Sequence, residues 1–439
     1  MGTKLKDLIF FFVDFFTFYL ALILALILRH LVNFNLEILK LHFFPFFIVF
    51  VFWFFFFYIF DLYNFKKISF LSEYSKNYLT ALFISLLFTI LLFYFLPLFQ
   101  IAPKTLLLLF ILIFVPLNLE ARSYLLKKIG EKVEKNIALI GEARDIDEIE
   151  NYLLTHQSLG FKKVLRFRRL SEVYEDEENV DYLVVANDIL RDEEFSKSLL
   201  DKVLKGKVVL SSLVFIENFL NKINLEGLNE EWFLNNVFNK DEAYEFFKRI
   251  IDVLIAGLAL IISLPLWPII ILGIKISSPG PIFFKDSRVG KNEKTFILYK
   301  FRTMHVAEYK NPKKEKVFGV KEDDPRIFFW GKILRRLHLD ELPQALNVLK
   351  GDLSLVGPRP DSKPYYDFLK NKIPLYSLRT LIKPGITGWA QINEKTGDSI
   401  EEAKERLEYD FYYLKNRNLI LDIIIILRTL KIVLTVWGK

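Results

Sequence analysis

The chain has no cysteine, only two methionines and only five histidines among 439 residues. Without cysteine there is no disulfide, no thiolate nucleophile and no cysteine-held zinc. The histidines (His30, His42, His156, His305 and His338) show no spacing that would gather a metal. The first apolar run lacks a small-residue cleavage site and is expected to stay as an anchor. What abounds is apolar: 52% hydrophobic residues, 45 of them Phe, with a net charge of +7 carried outside the apolar runs. The mean hydropathy is +0.28. This composition excludes an ordinary soluble enzyme and points to membrane. Beside membrane segments, a basic surface speaks for anionic headgroups or a phosphorylated substrate, and against nucleic acid.

Four apolar stretches are each about long enough to span a bilayer: Leu8–Leu31, Leu41–Tyr63, Tyr78–Leu98 and Pro103–Leu119. Lys4, Lys6, Lys66, Lys67, Lys76, Arg122, Lys127, Lys128 and Lys132 flank one side. Arg29, Lys40 and Lys104 flank the other. The positive-inside rule puts both ends of the bundle in the cytoplasm, hence in the inner membrane. No charged residue recurs at its centre as a transport pathway would need, so a structural anchor is the plain alternative.

From about residue 136 strand-like runs alternate with helical ones. The strands are Asn136–Ile140, Val164–Phe167, Tyr182–Ala186 and Val208–Leu210; helical patterns cover Ala143–His156, Glu193–Leu204 and Phe215–Ile223. The alternation predicts a small α/β module with a parallel sheet. Its first turn, Gly141-Glu142-Ala143, lacks the later glycines of a dinucleotide fingerprint, and Glu142 would face a pyrophosphate. A degenerate, Rossmann-like module that regulates or dimerises the chain, making a homodimer, fits better.

A fifth apolar run, Ile250–Ile274, is long enough to span, but Pro265 and Pro268 interrupt it. Basic residues flank both sides: Lys248 and Arg249 before; Lys275, Lys285, Arg288 and Lys291 after. A helix broken near Pro265, entering and leaving on the cytoplasmic face, resolves both observations. Ser263 is placed to satisfy backbone groups freed at the break. A kinked spanning helix is the alternative.

The most informative stretch is Leu337–Asp361, LHLDELPQALNVLKGDLSLVGPRPD. Asp340-Glu341 reads as the opening of a short helix, with Pro343 in its first turn and Gly351 after its end. Asp340, Gln344 and Asn347 share one face; Leu342, Leu346 and Leu349 share another. Arg335 and Arg336 precede the pair, and Gly357-Pro358-Arg359-Pro360 follows. Taken alone, an Asp before a helix is most often an N-cap. With arginines on both sides, the pair suits phosphate chemistry: dipole and cations attract phosphate and keep the acid ionised.

Further motifs surround it: Ser278-Pro279-Gly280-Pro281, the segment Lys300-Phe301-Arg302-Thr303-Met304, Pro384-Gly385-Ile386-Thr387-Gly388-Trp389-Ala390-Gln391, Asp410-Phe411-Tyr412-Tyr413, and Asp422 in a last apolar helix suited to the interface plane. In this order, over Ala243–Val436, they resemble the bacterial sugar transferase family, the monotopic phosphoglycosyl transferases; four spans plus an α/β module resemble its large form. Asp286 departs from the family pattern, which has Gln there. The resemblance implies transfer of a sugar-1-phosphate from a UDP-sugar to polyprenol (undecaprenyl) phosphate, with UMP released. It implies Asp340 as the nucleophile and Glu341 as a Mg²⁺ ligand. It also implies Lys300, Arg302, Arg335, Arg359, Gln391, Asp410 and Asp422 as phosphate or substrate contacts. The expected architecture is a four-span α-helical membrane bundle (residues 1–125), a Rossmann-like α/β module (136–235) and an α/β catalytic domain (243–439) with a re-entrant membrane helix-hairpin (250–274). A non-enzymatic assembly or sensor protein on the same domain is the alternative, as is a polytopic transferase, which would need more spans.

Overall fold

In a computed structural model of the chain, the described residues are 3–31, 34–60, 62–63, 71–95, 104–130, 135–155, 161–168, 180–191, 199, 203, 207–228, 232–233, 236, 242–305, 324–393 and 399–436. They divide into two compact units, Met1–Ser212 and Leu213–Lys439.

The first unit begins with four helices, α1 (Thr3–His30), α2 (Leu36–Ile59), α3 (Leu71–Phe95) and α4 (Lys104–Gly130). By length and composition Leu8–His30, Leu36–Ile59 and Thr105–Leu125 are each enough to cross a membrane; the apolar part of α3, Asn77–Phe93, is shorter. Lys66 and Lys67, used above to orient the bundle, lie outside the described residues. Phenylalanine supplies the packing. The Phe18 ring meets Phe50, Trp53 and Phe110 edge-on, with centroids 5.3, 5.7 and 4.8 Å away. Between lipid-facing helices, such shape-matched contacts replace the hydrophobic drive that water would give.

The bundle does hold buried charge, which spacing alone did not reveal. Asp14 and Arg122 are 2% and 1% exposed and form an ion pair between α1 and α4. Asp14 also accepts from Tyr63 Oη at 2.6 Å and from Asn118 Nδ2 at 2.8 Å. Arg122 Nη1 donates to the Leu62 carbonyl at 3.1 Å, and Tyr78 Oη donates to Asn118 Oδ1 at 2.8 Å. One network thus joins α1, α3 and α4 to the residues that follow α2.

After the bundle come β1 (Lys135–Ile140), α5 (Arg144–Thr155), β2 (Phe161–Phe167), β3 (Tyr182–Val185) and β4 (Val208–Ser211). The strands form one parallel sheet in the order β2-β1-β3-β4, as the alternation predicts. Gly141 ends β1 at φ +126, where an added Cβ would collide with Ala186. Glu142 pairs with Arg168 at 2.9 Å on the surface. Most of the expected helix Glu193–Leu204 lies outside the described residues.

The division at Ser212 corrects the expected boundary near 235. Residues after it pack on the second unit: Asn221 O accepts from Trp389 Nε1 at 2.9 Å, and Lys222 pairs with Glu408 at 2.8 Å. The expected helix Phe215–Ile223 is a short turn, Ser212–Phe215, followed by a π-turn, Ile216–Leu220.

The second unit continues with α6 (Glu242–Ser263), a 3₁₀ turn Leu264–Leu266 and α7 (Trp267–Ser277). Ser263 Oγ donates to the Leu260 carbonyl at 3.1 Å and accepts from Trp267 Nε1 at 3.2 Å, across the break at Pro265. Next come the hairpin β5 (Phe283–Val289) and β6 (Thr295–Phe301), α8 (Phe329–Arg336), α9 (Gln344–Lys350), β7 (Ser354–Val356), α10 (Lys363–Lys370), β8 (Gly385–Thr387), α11 (Trp389–Asn393), α12 (Ile400–Asn416) and α13 (Leu419–Val436). Asp286, the departure from the family pattern, accepts from Arg288 Nε at 2.7 Å, and Arg288 Nη1 donates to the Pro360 carbonyl at 3.0 Å. The core gathers Tyr365, Tyr366, Leu369, Trp389, Leu407, Phe411 and Ile425.

Removing one partner of a buried pair leaves a stranded charge and costs about 3–5 kcal/mol. Arg122→Ala is therefore expected to lower the detergent-solubilised protein's unfolding temperature sharply, and Asp14→Leu with Arg122→Met to recover much of it. Equal unfolding temperatures for wild type, single and double variants would show that the pair does not hold the bundle.

Candidate active site

Asp340 and Glu341 do not begin a helix. They lie in a 3₁₀ turn, Leu339–Glu341, entered through His338 at φ +53. The helix α9 starts later, with Pro343 at its N-cap and no side-chain cap bond. Asp340 is therefore not the cap of that helix, and the simple capping explanation fails.

The turn is positioned from three sides. Asn347, expected to face the site, is fully buried and clamps α9 to β6 instead. Its Oδ1 accepts from Tyr299 N at 3.1 Å and its Nδ2 donates to the Ile297 carbonyl at 2.7 Å. Lys300, on β6, reaches Glu341 Oε1 at 2.6 Å. On the third side α8 lies so close to Thr303 that a Cβ on Gly331 would strike the Thr303 carbonyl. That approach lets Arg335 Nε donate to Thr303 Oγ1 at 2.9 Å.

The two adjacent carboxyls are shifted in opposite directions. Burial pushes Asp340, 7% exposed, up to about 6, and the neighbouring Glu341 charge adds to it; Lys300, Arg335 and His338 only partly offset this. The cations nearby pull the value down, but desolvation outweighs them and leaves it raised, still low enough for the acid to be ionised at neutral pH. For Glu341, burial also works against ionisation, yet Lys300 and Arg359 outweigh it and hold the carboxyl down to about 2. A pair split in this way gives one poised and one permanently charged group.

The other expected contacts separate into two groups. Lys300, Arg335 and the exposed Arg359 act on the Asp340–Glu341 pair. Arg302 does not. It is 2% exposed, and it donates to the Ser278, Pro279 and Pro281 carbonyls at 2.6, 3.0 and 2.7 Å and to Ser278 Oγ at 2.8 Å. It holds the Ser278–Pro281 turn from inside. Asp410 faces Arg379, with Nη2 at 2.8 Å, and Arg379 also pairs with Asp361 and donates to the Arg359 carbonyl at 3.0 Å. Asp422 pairs with Lys248 at 2.7 Å and accepts from Tyr244 and Tyr413 hydroxyls at 3.0 and 2.6 Å. Both are buried and support the architecture. Gln391 donates to the Ile386 carbonyl at 3.3 Å, and its Oε1 is buried without a partner. Arg379 escaped the sequence reading, because an isolated arginine in RTLIKPG carries no motif signal of its own.

Residues 243–436 match the model of the bacterial sugar transferase family. Over 195 residues the chain is 40% identical to the UDP-N-acetylgalactosamine-undecaprenyl-phosphate N-acetylgalactosaminephosphotransferase of Aeromonas hydrophila, covering 44% of this chain and 45% of that protein. Over 184 residues it is 42% identical to a UDP-glucose:undecaprenyl-phosphate glucose-1-phosphate transferase of Escherichia coli, covering 42% and 39%. A protein of the same description from Caulobacter vibrioides is 39% identical over 195 residues, 44% of this chain and 72% of that one. The match thus spans less than half the length of the first two relatives. The family match over residues 243–436 takes in every motif around Asp340, and the chain belongs to the bacterial sugar transferase family.

Proposed function

We propose that the chain transfers a sugar-1-phosphate from a UDP-sugar to polyprenol (undecaprenyl) phosphate at the cytoplasmic face of the inner membrane. The observation that carries this is Asp340: a buried carboxylate in a short turn, acted on by Lys300 and Arg335, beside a Glu341 held ionised by Lys300 and Arg359. The names of the relatives support the substrates.

A carboxylate nucleophile divides the reaction into two steps. An Asp340 oxygen attacks the sugar-bearing phosphorus of the UDP-sugar; the bond to the bridging oxygen breaks and UMP leaves with that electron pair. A polyprenol phosphate oxygen then attacks the same phosphorus and releases Asp340. Desolvation makes the Asp340 carboxylate a stronger nucleophile, and the cations around it offset phosphate charge. Among the described residues no third His, Asp or Glu joins the pair in a metal cluster. Two carboxylates still suit Mg²⁺, which takes its remaining ligands from substrate phosphates and water. Glu341, held ionised, would carry the ion in competition with Lys300. When bound, Mg²⁺ neutralises charge on the diphosphate.

The re-entrant reading of α6–α7 is favoured by packing. Ala256 and Leu260, before the break, lie against Leu298, Ala345 and Val348. Ile270 and Ile274, after it, lie against Phe301, Phe328 and Leu334. Both halves thus pack on the same unit, whereas a straight span would carry the second half across the bilayer. Leu254, Leu258, Ile261, Ile262, Ile269 and Leu272 remain exposed for lipid.

The test of the reaction is UMP release from a panel of UDP-sugars by membranes supplied with polyprenol phosphate and Mg²⁺. At least one UDP-sugar should yield UMP, EDTA should stop it, and Asp340→Asn should abolish it. No release from any sugar would favour a non-enzymatic scaffold. The same variant carries a stability signature. Burial raises Asp340 from 3.8 to about 6 in the fold, so its charging opposes folding increasingly from about pH 4 and fully above pH 6. Asp340→Asn should therefore be more stable than wild type by roughly 2–3 kcal/mol at pH 7.5, with the gain vanishing as pH falls below 4.

For topology, single cysteines in place of Lys248 and Lys291 should both resist an impermeant maleimide on spheroplasts and react after lysis. Labelling at 291 from outside would refute the hairpin.

A further inference from the structure

Two cations meet at the far end of α9 from Asp340. Arg249 stands at the start of the apolar run and is half-buried. Its Nη1 and Nη2 donate to the Val348 and Leu349 carbonyls at 2.6 and 2.9 Å. That leaves three of its five N–H donors available. Gly351 ends the helix at φ +91. A Cβ placed on Gly351 would stand 3.6 Å from Lys383 Nζ and 3.7 Å from Arg249 Nη2. Both cations therefore converge on one notch, and glycine keeps it open.

Lys383 is held firmly in place. Its neighbour Pro384 accepts from Ser354 N at 2.9 Å, and Gly385 N donates to the Pro358 carbonyl at 3.0 Å. Burial lowers the Lys383 pKa, and Arg249 and Lys291 lower it further. The nearby acids are committed elsewhere. Asp252 accepts from Leu355 N at 2.9 Å, Glu245 pairs with Arg417 at 2.9 Å, and Asp422 pairs with Lys248. Among the described residues no carboxylate is paired with Arg249 or Lys383. Asp252 and Glu245 offset part of this charge from a distance without pairing with it, and a half-dry cluster of like charges with no paired carboxylate is a place for an anion from outside.

We propose that Arg249, Lys383 and the Gly351 notch bind the phosphate of a lipid at the membrane edge, at a site separate from Asp340. The guanidinium offers a fork and the ammonium a point charge to phosphate oxygens. Placement selects a lipid over a soluble anion. Arg249 directly precedes the apolar run, and Phe246 and Phe247 beside it are exposed. Basic groups at such a border are attracted to an anionic leaflet. The seven residues of α9 separate the notch from the 3₁₀ turn by about 10 Å. A phosphate in the notch is therefore beside the reacting centre and not in it. Its source is a phospholipid headgroup or a polyprenol phosphate before it reacts; the second rests on the function proposed above.

The full-length protein in phosphatidylcholine nanodiscs, with or without an equal part of phosphatidylglycerol, separates the sources. Native mass spectrometry of the released protein counts phosphatidylglycerol and decaprenyl phosphate adducts, and needs no turnover. Lys383→Met should weaken binding of at least one lipid about fivefold, and Lys383→Arg should restore it. If the ligand is the polyprenol phosphate, the KM for decaprenyl phosphate rises similarly while the KM for UDP-sugar does not move. If it is a phospholipid, dependence on phosphatidylglycerol disappears instead. Should Lys383→Met fold poorly, Lys383→Gln carries the same test. Wild-type binding of both lipids by the methionine or glutamine variant overturns the site, as does a wild type that binds neither. A wild type that binds lipid but releases no UMP speaks against the reaction alone.

Discussion

The Lys300–Glu341 ion pair is the contact on which the site depends. The turn holding Asp340 and Glu341 is three residues long and has no cap of its own. A turn so short must be held from outside. Lys300 ties it to β6, Asn347 ties the following helix to the same strand, and the Gly331 approach fixes Arg335 behind it. Once Glu341 is paired, it stays charged although half-buried. Its charge then helps raise Asp340. Burial and this one ion pair together split the two carboxyls in opposite directions.

Around this centre, several charged side chains serve the frame. Arg302 grips the Ser278–Pro281 turn, and Arg379 lies between Asp361 and Asp410. Arg379 also holds the main chain at Arg359, so the Asp410 network supports the loop that carries a site cation. Buried ion pairs gain little net stability over apolar packing, but losing one partner is costly. Such networks specify one arrangement of loops more than they strengthen the fold.

The elements were largely legible in the sequence. Apolar length marked the membrane helices, and the αβ alternation marked the parallel sheet. Motif order marked the Asp340 neighbourhood and its family. Four things were not legible, each for a physical reason. Asp14 and Arg122 lie far apart in sequence, so no periodicity links them. Arg302 and Arg335 look alike in a motif; only burial tells an inward clamp from a site cation. The ionisation of Asp340 turned on desolvation, which a string of flanking arginines cannot report. The boundary was misplaced because residues after Ser212 find their partners at Trp389 and Glu408, far downstream.

The central claim is that Asp340 becomes covalently loaded. It is tested most directly by incubating the purified protein with its UDP-sugar and Mg²⁺ but no polyprenol phosphate, quenching, and mapping the peptide that contains Asp340 by mass spectrometry. The account predicts a sugar-phosphate adduct on Asp340, discharged when polyprenol phosphate is added. An unmodified Asp340 peptide from protein that turns over normally once lipid is supplied would contradict it.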